Sequence, residues 1–160
     1  MSDRIAVMRS GRIRQEGTPR ELYDAPVERY VADFVGVSNF FAARAVDVGP
    51  ILVLEAGSGQ RLRAMPSASS RSIAAGTEVT VAIRPERVRV AGAEADGIPG
   101  RLVEATYTGD ATDLLVRTPT LGDVLARRLN TEPGTEAARF AVGDAVTVAW
   151  DDRAALALAD

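Results

Sequence analysis

Apolar residues recur along this chain with one spacing before residue 36 and another after residue 39. Arg4 to Met8 (RIAVM) is a compact apolar run, Ser10-Gly11 is a two-residue turn signal, and Arg12 to Gln15 continues as a polar strand. Asp3 to Glu16 therefore reads as a β-hairpin, which is marginal alone and needs cover for Ile5, Val7 and Ile13. Thr18-Pro19-Arg20-Glu21 predicts a helix start: Thr18 caps, Pro19 suits the first helical position and Glu21 closes a capping box. Asp24-Ala25-Pro26 ends that short helix. A second helix follows, with Val27, Tyr30, Val31, Phe34 and Val35 on one face, Glu28, Arg29 and Asp33 turned away, and Gly36 at the C-terminal cap position.

From Asn39 the period becomes two. Strands are predicted at Phe40 to Val48, Ile51 to Glu55, Gln60 to Met65, Glu78 to Arg84, Arg87 to Val90, Gly100 to Tyr107, Thr112 to Arg117, Asp123 to Leu129, Ala145 to Trp150 and Ala154 to Leu158. The clearest alternation sets Val79, Val81 and Ile83 against Glu78, Thr80 and Ala82, and it returns in Val146, Val148 and Trp150. Short strands at this spacing suggest a barrel or sandwich. The Ser- and Ala-rich stretch Pro66 to Gly76 reads as a mobile loop.

Composition narrows the chemistry. Across 160 residues, 46% are hydrophobic and 26% charged, a balance that supports a folded core. The net charge of −3 is spread along the chain, so no basic stripe points to nucleic acid. There is no cysteine and no histidine. Disulfides, thiolate metal sites, His-dependent nucleophilic pairs and most zinc sites are excluded with them. No apolar run approaches the roughly 18 residues of a membrane-spanning helix, and Met1-Ser2-Asp3-Arg4 opens no signal peptide. The chain is expected to be soluble, with any membrane role passing through a partner.

Met1 to Phe40 carries, in order, Ser2-Asp3-Arg4-Ile5, Ser10-Gly11-Arg12-Ile13, Gly17-Thr18-Pro19, Tyr23, Pro26 and Phe34-Val35-Gly36. This string resembles the segment after the switch histidine in ATP-binding subunits of bacterial ABC importers, the class serving polyamines, ferric iron and maltose. Ile83-Arg84-Pro85-Glu86, Tyr107-Thr108-Gly109-Asp110 and Gly143-Asp144 leading into Val146 to Trp150 resemble the transport-associated OB (TOBE) domain of the same subunits. The resemblance implies a mainly β fold: an OB-like barrel of TOBE type over residues 38–160, preceded over residues 1–37 by a hairpin and two short helices from the ATPase domain. It places the GxxxxGK[ST] phosphate loop, signature motif, magnesium-binding aspartate and switch histidine upstream of Met1. This stretch is thus expected to be non-catalytic and to hold no cofactor, with ATP and Mg belonging to the intact parent subunit. Such a chain looks like an excised domain, a truncated reading frame or a start at an internal methionine. Phe34 to Asn39 and Arg127-Arg128-Leu129-Asn130 lean towards the polyamine subgroup.

The implied role is regulatory and dimerising, in a complex peripheral to the inner face of the cell membrane, with a second copy, a permease and the ATPase core as partners. Val27, Tyr30, Val31, Phe34, Arg84 and Glu86 are the suspected intersubunit contacts. The apolar helix face is expected to pack on the barrel or on another protomer, unless residues 1–36 are poorly ordered. Arg84-Pro85-Glu86 also reads as a structural corner. Asp110, Asp113 and the Asp151-Asp152 pair read as turn residues, since adjacent strand residues point to opposite sides. The alternative function is a free-standing OB-like barrel binding a small anion or other small ligand, with Arg101, Arg117, Arg127 and Arg128 as the anion-binding face. Against it, Ser38-Asn39 lacks the arginine of the Ser-x-Arg-Asn motif found in molybdate-binding barrels.

Overall fold

The computed structural model describes residues 3–70, 72–130 and 140–159. The order is β1 (Ile5–Arg9), β2 (Arg12–Gly17), α1 (Pro19–Asp24), α2 (Arg29–Val35), β3 (Asn39–Asp47), β4 (Leu52–Ala56), β5 (Gln60–Pro66), β6 (Glu78–Ile83), β7 (Arg89–Gly92), β8 (Ile98–Tyr107), β9 (Ala111–Thr118), β10 (Gly122–Leu129), β11 (Ala145–Ala149) and β12 (Ala155–Leu158). The chain is mainly β, as expected. It forms two compact units, residues 1–83 with 152–160, and residues 84–151. The seam expected between residues 37 and 38 concerns which family segment each part comes from, and the compact units divide elsewhere.

The first unit begins with the hairpin β1–β2. Ser10 (φ 50°) and Gly11 (φ 74°) are both left-handed, as a tight two-residue turn with the twist of its strands requires. Thr18 caps α1 as its sequence predicts: its Oγ1 accepts from Glu21 N at 3.2 Å, and Thr18 N donates to the Glu21 carboxylate at 2.7 Å. Gly36 ends α2 in extended backbone, φ 161°, and not in the left-handed cap that its position suggested.

Strands β3, β4, β5, β6 and β12 close into a barrel of order β12-β5-β4-β3-β6. Their period-two pattern sends Phe41, Ala43 and Ala45, Leu52 and Leu54, Leu62 and Ala64, and Val79, Val81 and Ile83 to buried positions. β6 is buried on both faces. Its outward Ala82 packs with Ala32 of α2 and Leu158 of β12, with Phe40 and Leu156 beside them. Pro66 to Gly76, read as a mobile loop, contains a 3-10 turn at Ala68–Ser70 and buries Ser67, Ser70 and Ile73. Those serines are covered because they bond to one another and to nearby backbone.

The second unit is a five-stranded sheet of order β10-β9-β8-β11-β7, with antiparallel neighbours throughout. Val90, Ile98, Leu102, Leu114, Val116, Val124, Val146 and Val148 are buried in it. A 3-10 turn, Pro85–Arg87, precedes β7 and realises the predicted corner at Arg84-Pro85-Glu86. That turn is why β7 starts at Arg89, later than the pattern suggested.

Candidate interaction surface

The suspected contact residues fall into two groups. On α2, Val31 is fully buried in a cluster with Val7 of β1 and Leu22 of α1, and Val27, Tyr30 and Val35 pack against that cluster. The helix face expected to need the barrel or a second protomer is thus covered largely by this chain's own hairpin and first helix. The physical reason is local: the hairpin presents Val7 and α1 presents Leu22 within reach of the same stripe. The barrel contact is made by Ala32, which the sequence pattern did not single out because alanine adds little to an apolar stripe. Phe34 is the exception on the stripe. It is 64% exposed and stacks on Tyr30 at 6.2 Å between ring centroids.

Tyr30 itself is fixed at both ends, since its hydroxyl donates to Met8 O at 3.1 Å and the Arg9 guanidinium lies 4.9 Å from the ring centroid. Arg14 and Glu28 form a bidentate pair, whose hydrogen bonds hold the Glu28 carboxyl below its ordinary pKa. Around this framework Ile5, Met8, Ile13 and Phe34 are each left exposed. Beside Phe34 lies a shallow, mostly apolar hollow of about 480 Å³, lined by Ile5, Pro19, Leu22, Tyr23 and Val35 among others. Of the hairpin residues whose cover the sequence demanded, only Val7 receives it in full.

Arg84 and Glu86 lie in the second unit. Arg84 is buried, at 5% exposure, while Glu86 is exposed on the 3-10 turn.

The four arginines of the small-anion alternative are each engaged. Arg117 makes two hydrogen bonds to Asp123, at 2.8 and 3.0 Å, and Arg127 makes two to Asp113, both 2.7 Å. Arg101 donates to Gly143 O, and Arg128 donates to Val90 O at 3.1 Å. The hydrogen bonds from Arg127 and Arg117 hold the Asp113 and Asp123 carboxyls below their usual range. Of the acids weighed as turn residues, Asp113 is therefore a strand partner, and Asp152 pairs with Arg63 at 3.1 Å. Among the described residues no group of three or more acids, histidines or cysteines is placed to hold a metal ion, and no helix is long and apolar enough to cross a membrane.

Residues 81–158 match the family model of the TOBE domain. A cytoplasmic molybdate-binding protein, ModG, shares the fold, with a TM-score of 0.64 at 13% identity over 76% of this chain and 96% of its own. The closed barrel, the antiparallel sheet and this match define a TOBE-containing, OB-like protein. Over 99% of its length the chain is also 40% identical to the spermidine/putrescine import ATP-binding protein PotA of Rubrobacter xylanophilus. The PotA of Ruegeria pomeroyi is 40% identical over the whole chain, and PotA 1 of Pseudomonas aeruginosa is 38% identical. The chain spans about two fifths of these relatives, 41% and 42% of the first two, and corresponds to their C-terminal part. It belongs, over that stretch, to the ATP-binding subunits of ABC importers.

Proposed function

We propose that this chain is the regulatory and dimerising C-terminal part of the ATP-binding subunit of a polyamine-type ABC importer. The observation that carries this reading is the 40% identity along 99% of the chain to the C-terminal stretch of a spermidine/putrescine import ATP-binding protein. The stretch supplies no chemistry of its own: it has no histidine, no cysteine and no GxxxxGK[ST] loop. ATP and Mg are bound by the remaining three fifths of the subunit, which works in pairs on a permease at the inner face of the membrane.

The apolar hollow lined by Ile5, Leu22, Tyr23 and Phe34 supports this assignment. An apolar hollow of that kind on the hairpin layer fits coverage by the ATPase core. In this arrangement the hairpin and helices carry movement of the core to the barrel, which keeps two subunits paired while the ATPase sites open and close. Binding of a small anion finds less support, because Arg117 and Arg127 are each paired with an aspartate and Arg101 bonds Gly143 O.

A chimaera tests the reading. This chain replaces the corresponding C-terminal part of the Rubrobacter xylanophilus relative, and spermidine-dependent ATP hydrolysis is measured with the permease and binding protein in vesicles. Retention of solute-stimulated hydrolysis is expected, while the isolated 160-residue chain hydrolyses no ATP. A folded chimaera that hydrolyses ATP but neither pairs nor responds to solute would overturn the proposal.

A further inference from the structure

The second unit is an insertion in the first. The chain leaves the barrel after β6, at Ile83, and returns to it at Asp152, just before β12. These two strands are neighbours, with Ala155 opposite Ile83 and Leu156 opposite Ala82. Any displacement of the second unit therefore pulls on adjacent strands of one closed barrel. They are not equally held. β6 is paired along its other side with β3 from Asn39 to Arg44. β12 meets β5 through two parallel rungs, Leu156 with Met65 and Ala157 with Pro66, and proline has no N–H to donate.

The N-terminal layer rests on the same two strands. Ala32 packs against Ala82 of β6 and Leu158 of β12, while Val31, one residue earlier, belongs to the hairpin cluster. A helix of seven residues that is packed on both sides moves as one body. A serine cluster adds a second tie. Ser67 N donates to Ala157 O at 3.0 Å, and Ser70 Oγ accepts from Ala159 N at 2.7 Å. Ser69 Oγ donates to Val27 O just before α2, and Ser67 joins Ser69 and Ser70 through hydroxyl contacts of 2.9 Å.

We propose that β12 is a coupling strand: it shifts with the second unit and carries that shift to α2 and the hairpin, through Leu158 and the serine cluster. With two ladder rungs to β5 against four to β6, β12 is the freer of the two strands, and its ties to Ala32 of α2 and to Val27 just before it make the N-terminal layer follow. The inference needs only the contacts within the first unit and the two chain crossings. It stands or falls separately from the importer assignment, and failure of the chimaera leaves it intact.

Amide hydrogen exchange on the full chain tests it, read on peptides covering residues 27–35, 52–56 and 155–159. Val124→Ala loosens the core of the second unit, and Ile98→Val does so more mildly should Val124→Ala fail to fold. The expected result is exchange about threefold faster or more in both 155–159 and 27–35, with 52–56 unchanged. Adding Ser69→Ala and Ser70→Ala should keep the response in 155–159 and remove most of it from 27–35. Faster exchange confined to residues 84–151 would overturn the proposal, as would an undiminished response of 27–35 without the two serine hydroxyls.

Discussion

The barrel and the five-stranded sheet bury similar aliphatic cores by different means. In the barrel every strand has two neighbours, and small residues such as Ala43, Ala45, Ala64 and Ala157 fill the interior beside Leu54, Leu62 and Val81. The sheet has β10 and β7 at its edges. On β9 and β10 the Arg117–Asp123 and Arg127–Asp113 pairs lie across the two strands on either side of the half-buried pair Leu115 and Leu125. Closure removes edges and lets small apolar residues suffice, whereas an open edge is shielded by long charged side chains.

This difference predicts unequal responses to the same deletion. Leu54→Ala in the barrel and Leu114→Ala in the sheet each remove a side chain that is at most 1% exposed. Both should cost about 2–5 kcal/mol, with Leu54→Ala nearer the upper end, because a closed barrel relaxes less around a cavity than a sheet with free edges. Denaturant midpoints measure the order. A larger loss for Leu114→Ala would break the comparison.

The individual strands were largely legible in the sequence, and their assembly was not. Alternation located β3, β4, β5, β6 and β11 to within one or two residues, because every second side chain of each is an apolar residue buried in a core. The Thr18 capping box and the Ser10-Gly11 turn were legible for the same reason, being contacts within a few residues. Nothing local shows that β12 returns past a 68-residue insertion, Arg84–Asp151, to close a barrel begun at β3. β8 begins at Ile98, two residues before the pattern suggested, because Ile98 is buried against β11 while Pro99 interrupts the apolar alternation. In the interaction surface the α2 stripe was readable from helical spacing. Ala32, Ser69 and Ser70 were not, since their importance comes from partners 42 to 126 residues away in the chain.

A glycine separates the two units at an intermediate scale. A Cβ on Gly100 would lie 2.6 Å from Val116 Cγ1 and 2.9 Å from Arg117 O, so Gly100→Ala forces β8 away from β9 and should cost about 1–3 kcal/mol. In the barrel, Gly59 at φ +89° has nothing within 4 Å of such an atom, and Gly59→Ala should cost about 1 kcal/mol from backbone strain alone. Thermal unfolding of the two variants measures the gap. Equal losses would mean that the β8–β9 approach is not tight.

Arg128 probes the sheet further. One of its guanidinium nitrogens bonds Val90 O, while Nη1 is buried without an acceptor among the described residues. Removing the side chain loses the bond to Val90 O but also relieves the desolvation cost of the unpaired Nη1, and the two oppose each other. Arg128→Met should therefore change stability by less than about 1 kcal/mol in either direction, and a loss above that in a urea titration would reveal a partner for Nη1.

The smallest effect belongs to the charged pairs on the sheet. The Asp113 and Asp123 carboxyls are held below their ordinary pKa by hydrogen bonds from Arg127 and Arg117, so each favours the folded state when ionised. A depressed folded-state value means that this stabilisation is complete above the unfolded-state value, roughly pH 4, and is lost as the pH falls through the folded one. Asp113→Asn should cost at most about 1 kcal/mol at neutral pH and should flatten the stability curve below pH 4. The same substitution at Asp123, whose pair is more exposed, should cost less still. High salt should shrink both differences. Denaturation curves at several pH values decide the matter: were either variant to lose stability equally above and below that range, the ionised pair would not be the cause, and the edge of the sheet would be held by packing as the barrel is.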